Sequence, residues 1–160
     1  MGKIKYIKKV KQLFKKNPVV SIISLKKIIK GDYIYTLINS LLKKNKINRI
    51  TKGYYSIYND PTLITYCIKP SYLGLQDALS IHNIWDQETN TVLITPRKVI
   101  PGIRTVSQNN IIIRRISKNH FFGFEFRKIG KFIHPVSDLE KTFIDLIYFK
   151  IPIDKTTMTK

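Results

Sequence analysis

Thr36, Asn39, Ser40 and Lys43 recur at three- and four-residue spacing in the stretch 33–43. At about 100 degrees per residue they share one side of a helix, opposite Ile34, Leu37, Ile38 and Leu41, with Tyr33 and Tyr35 flanking them. Such a set has the chemistry to read base edges in a major groove. Asn pairs bidentately with adenine, Thr and Ser donate or accept, and Lys reaches a guanine or a phosphate. Further along, Arg49, Lys52 and Gly53 make a flexible basic turn suited to phosphate contact or minor-groove entry. Lysines 8, 9, 15, 16, 26 and 27 could add nonspecific phosphate contacts. Polar residues opposite an apolar stripe also suit an ordinary solvated helix face, so the surrounding elements must decide.

Other chemistries are poorly supplied. His82, His120 and His134 are scattered, and none has a second ligand four residues on. Cys67 is the single cysteine, so it can form neither an internal disulfide nor a zinc pair, and its apolar surroundings from Leu63 to Ile68 predict a buried, inert thiol. No Gly-rich phosphate loop occurs. A nuclease needs clustered carboxylates to hold magnesium. Only Glu125-Phe-Arg127 and Asp138-Leu-Glu140-Lys141 resemble such a cluster, and Glu140 and Lys141 read better as a helix cap and a solvated turn. No catalytic residue, metal or cofactor is therefore expected. Phe121, Phe122, Phe124, Phe126 and Phe132 could stack on single-stranded bases, although alternation through Gly123 favours a core strand. An RNA-binding accessory role is the alternative function, and a magnesium-dependent nuclease the lesser one.

The elements that would position the polar face read as follows. Ile4, Ile7, Val10, Leu13 and Phe14 predict an amphipathic first helix, ended by Asn17-Pro18. An apolar bridge over 19–23 leads to a brief second helix with Ser24 as its expected cap and Leu25, Ile28 and Ile29 inside. Gly31 stops it, and Asp32 is the expected cap of the third helix. Strand formers from Ile47 to Tyr58 flank Thr51-Lys52-Gly53 and predict a hairpin, the wing, with Tyr54 and Tyr55 packing beneath it.

Asn59-Asp60-Pro61 marks the expected boundary. Beyond it a helix is expected over 73–84, then strands over 91–95, 111–116, 121–126 and 131–136, with Pro101-Gly102 read as a separator. A closing helix is expected from Ser137, with Glu140 completing a capping box and Leu139, Phe143, Ile144 and Ile147 buried; Ile153 to Lys160 reads as a tail. The expected fold class is α+β: an N-terminal winged helix-turn-helix over 1–60, followed by a mixed α/β C-terminal domain over 61–160 that serves dimer or partner contacts.

Charge agrees with a polyanionic partner. The 160 residues carry 29 Lys and Arg against 10 Asp and Glu, a net of +19. The excess is concentrated in residues 1–60, whose only acids are Asp32 and Asp60. A Lys- and Ile-rich composition can also follow from an AT-rich genome or heat adaptation, so charge supports nucleic acid without proving it. No stretch approaches the roughly 18 apolar residues of a membrane span. The basic N-terminus does not open into a signal peptide's apolar run. A cytoplasmic location is expected.

The stretch from Val20 to Ile29, followed by Leu37 to Tyr55 with Arg49, Gly53 and Tyr54 at its end, resembles the N-terminal winged helix of AbiEi-type antitoxins. Pro70 to Ile84, with Ala78-Leu79 and His82, resembles that family's next helix, with Asn83 where glycine is usual. Val136 to Tyr148 resembles its closing helix. The resemblance implies an autoregulating transcriptional repressor, often paired with a nucleotidyltransferase-like toxin.

Overall fold

A computed structural model describes residues 2–153, apart from the side chain of Lys3. The expected tail therefore lies almost wholly outside the described residues. Among them the chain is mixed α+β, with six α-helices and two sheets. It divides into two compact units, Met1–Cys67 and Ile68–Lys160.

The first unit begins with α1 (Gly2–Lys16). Val10 and Phe14 bury on its inner side while lysines hold the outer one. Residues 20–21, read as bridge, instead form a short strand, β1 (Val20–Ser21), which leads directly into α2 (Ile22–Ile28). The cap of α2 is Ser21 and not Ser24: the Ser21 hydroxyl accepts from the Ser24 backbone N–H at 3.2 Å. The helix thus starts three residues earlier than expected, because strand pairing at Ser21 supplies the extended backbone that a cap residue needs.

Next come α3 (Tyr33–Lys43) and the hairpin of β2 (Asn48–Thr51) and β3 (Tyr54–Ser56). Asp32 stands at the N-cap position of α3, but its side chain makes no capping hydrogen bond. The helix is held by burial instead. Ile34, Leu37 and Ile38 enter one core with Val10, Phe14, Leu25 and Ile47, at about 1.5–3 kcal/mol for each fully buried aliphatic side chain. The three strands form an antiparallel sheet in the order β1-β3-β2. Gly53 closes the hairpin at φ +80, a left-handed conformation that glycine adopts freely, and its carbonyl accepts from the Ile22 N–H at 2.8 Å. That bond ties the hairpin tip to the start of α2. After Asp60, whose carboxylate accepts from the Thr62 N–H, a single turn (Pro61–Leu63) and α4 (Ile64–Cys67) complete the unit, and Cys67 is buried as expected.

The second unit carries a six-stranded sheet, order β6-β7-β5-β4-β9-β8. Its strands are β4 (Tyr72–Leu73), β5 (Thr91–Thr95), β6 (Gly102–Val106), β7 (Asn109–Arg115), β8 (Phe124–Ile129) and β9 (Phe132–Ser137). All five residues of β5 are buried, as its central place requires. The expected helix over 73–84 shrinks to α5 (Leu75–Ile81), because Tyr72 and Leu73 pair with Ile94 and Leu93. Strand β6, missed where Pro101-Gly102 suggested a break, pairs antiparallel with β7. The Phe-rich strand begins at Phe124 rather than 121, since Gly123 turns the chain at φ +72.

The closing helix is α6 (Leu139–Tyr148), and it departs most from expectation. Its cap is Asp138, which accepts from the Lys141 N–H at 2.7 Å, while Glu140 is exposed. Ile144 and Ile147, expected inside, are 45% and 72% exposed. Lys141, expected in solvent, is 1% exposed and Asp145 is 0% exposed. Lys141 Nζ bonds Asp145 Oδ1 at 2.5 Å and the His120 carbonyl at 2.6 Å; Tyr72 donates to Asp145 Oδ2 at 2.6 Å. Each buried charge therefore has a partner, as low dielectric demands. A Cβ at Gly123 would come within 2.8 Å of the Lys141 side chain, so the glycine permits this close approach.

Candidate nucleic-acid interface

Burial of Ile34, Leu37 and Ile38 orients α3, and the orientation turns Thr36, Asn39 and Lys43 out into solvent with Ser40 half-buried. These four line one shallow concavity together with Lys44. Lys44 was missed by the sequence reading because it stands one residue past the helix, at the C-cap. The helical angle of 100 degrees per residue, carried one step beyond Lys43, would have placed it beside Ser40.

The remaining candidates lie elsewhere. Tyr35 is exposed beside this face, and Lys26 of α2 sits 5.1 Å from its ring centroid, a cation-π contact that holds a lysine next to the polar face. Tyr33 is half-buried, packs against the core and lines a second groove. Arg49 and Lys52 are exposed on the hairpin, with Gly53 at its tip, and do not line the α3 concavity. Tyr55 packs against the core and Tyr54 is half-buried. The site thus has two parts: a polar helix face with two adjacent lysines, and a basic hairpin anchored to α2. The helix face can exchange hydrogen bonds with base edges, and the hairpin can neutralise phosphates.

In the second unit the residues weighed for other chemistry separate. Glu125 and Arg127 form an exposed pair at 3.9 Å. Among the described residues no three His, Cys, Asp or Glu side chains are grouped to hold a metal ion. His82 caps α5; its Nδ1 accepts from Arg127 at 2.6 Å, leaving Nε2 to donate to the Ser137 carbonyl at 2.8 Å. Phe121 and Phe124 pack on Tyr72 with ring centroids 5.4 Å away, whereas Phe122 and Phe126 are exposed.

A phenol and a carboxyl group of the second unit are perturbed. Burial, then the Asp145 hydrogen bond and its charge, drive the Tyr72 hydroxyl far above its ordinary range, so it serves Asp145 as a permanent donor. Burial pushes Asp77 up to about 7, partly offset by the Val92 N–H that it accepts. Among the described residues no helix is long and apolar enough to cross a membrane. Set against known proteins, the chain matches no family model, and no curated protein matches it.

Proposed function

We propose that the first unit is a winged helix-turn-helix that binds duplex DNA sequence-specifically, with α3 in the major groove and the β2–β3 hairpin as the wing. The observation that carries this reading is the Thr36/Asn39/Ser40/Lys43/Lys44 concavity, opposite a fully apolar buried stripe and accompanied by an anchored basic hairpin. On the resemblance to AbiEi-type antitoxins, the protein is an autoregulating repressor that pairs with a nucleotidyltransferase-like toxin or with a second copy of itself. Asn83 departs from the glycine of that family's motif, but it takes φ +60, a conformation that glycine adopts freely and asparagine tolerates.

The test is fluorescence anisotropy on duplex from the gene's own upstream region, with random duplex and single-stranded RNA as competitors, across a salt series. Asn39→Ala and Lys43→Ala weaken specific binding by about 1–3 kcal/mol, while Arg49→Ala and Lys52→Ala weaken binding to every duplex and lower the salt slope by about one each. Equal losses on specific and random duplex for all four variants would sink the assignment of α3. A second reading rests on Phe126, 72% exposed on edge strand β8 beside Lys128: stacking on single-stranded RNA. Preference for the RNA competitor, lost in Phe126→Ala, would favour it.

A further inference from the structure

Within the first unit an open groove of about 650 Å³ runs between α1 and α3, inside the roughly 300–1,000 Å³ range of small-molecule sites. Its floor is core: Val10, Phe14, Leu37 and Ile47 are all buried. Ile57, 37% exposed, extends that apolar surface toward solvent. The rim is cationic, with Lys11 and Lys15 on α1 and Lys44 and Lys46 after α3, all exposed. None of the lining residues is acidic.

A neutral apolar molecule would satisfy the floor and gain nothing from the lysines. A polyphosphate would satisfy the lysines but pay to desolvate against the floor. One anionic head on a compact apolar body meets both conditions. We propose that this groove binds a small amphipathic monocarboxylate, its hydrocarbon against Phe14 and Leu37 and its carboxylate at the lysine rim. Thr36, Ser40 and Lys44 line both the groove and the concavity on α3, so the ligand and a duplex on that face compete for the same side chains. The competition rests on the DNA-binding reading; the ligand site does not.

Calorimetric titration of the full chain with octanoate, and with octanol as its uncharged counterpart, tests the site. Octanoate binds saturably at one site, octanol at least tenfold more weakly. Ile57→Glu, which puts a like charge into the groove, loses at least tenfold. Lys98→Glu, an equal charge change on an exposed residue of the other unit, leaves binding unchanged. Circular dichroism checks that Ile57→Glu is folded, and Lys11→Glu, at an exposed position, serves in its place if it is not. Equal octanoate binding in wild type and the folded groove variant, or no saturable binding, overturns the proposal. Octanoate added to a preformed duplex complex releases the DNA from wild type but not from the groove variant. Binding without release overturns the competition alone, and octanoate binding by a protein that holds no duplex overturns the DNA reading alone.

Discussion

Helices α3 and α6 are of nearly equal length, and each has an aspartate at its N-cap position, yet they face their units in opposite ways. In α3 the aliphatic stripe goes in and the polar residues come out. In α6 Lys141, Thr142 and Asp145 go in beside Leu146, while Ile144 and Ile147 come out. The caps differ in the same sense: Asp138 bonds the Lys141 N–H, whereas the Asp32 side chain makes no capping hydrogen bond. Apolar periodicity identifies the buried face only when the neighbouring elements offer apolar contacts. Around α3 the neighbours are Val10, Phe14 and Leu25. Around Asp145 and Lys141 they are a tyrosine hydroxyl and a loop carbonyl, which hydrogen-bonding side chains satisfy and aliphatic ones cannot.

The contrast can be broken experimentally. Lys141→Met leaves Asp145 buried with Tyr72 as its remaining side-chain donor, and is expected to cost about 3–5 kcal/mol in urea unfolding. A loss below about 1 kcal/mol would mean that the pair is not desolvated as described. On α3 the sensitive position is aliphatic: Ile34→Ala should cost about 2–5 kcal/mol by the same measurement. Asp77 sharpens the comparison within the second unit, since burial pushes its carboxyl up and a backbone N–H, that of Val92, pulls it back. The folded chain binds its proton more tightly than the unfolded chain, whose carboxyl keeps the ordinary value of 3.8. Its contribution to stability is complete below about pH 4 and is lost as pH rises through about 7. Asp77→Asn should therefore gain stability relative to wild type at neutral pH and lose that advantage at pH 4; an unchanged difference across this window would refute the burial of its charge. The smallest effect is expected at Ile147→Ser, within about 0.5 kcal/mol because the residue is 72% exposed. A cost comparable to that at Ile34 would show that α6 buries its isoleucines after all.

Much of the first unit was legible in the sequence. Three helices, the hairpin and its Gly53 turn, and the polar face of α3 all followed from spacing and turn chemistry, because each depends on contacts close in the chain. What spacing missed there was non-local: Ser21 caps α2 because residues 20–21 pair with Tyr54 and Tyr55, more than thirty positions away. In the second unit β6 was hidden behind Pro101-Gly102, although those residues only begin the strand that β7 then pairs. For the candidate site, Thr36, Asn39, Ser40 and Lys43 were legible and Lys44 was not, since it lies past the last helical residue.

The sequence by itself determined the three helices and the hairpin of residues 1–60, the apolar stripe of α3 and the basic surplus of that stretch, for these are properties of composition and local repeat. Only the tertiary structure decided that Lys141 and Asp145 lie inside, that Ile147 lies outside, and that α1 and α3 enclose an apolar groove with a lysine rim. Burial is a property of the facing surface, and a helix presents both faces to the solvent until its neighbours choose one.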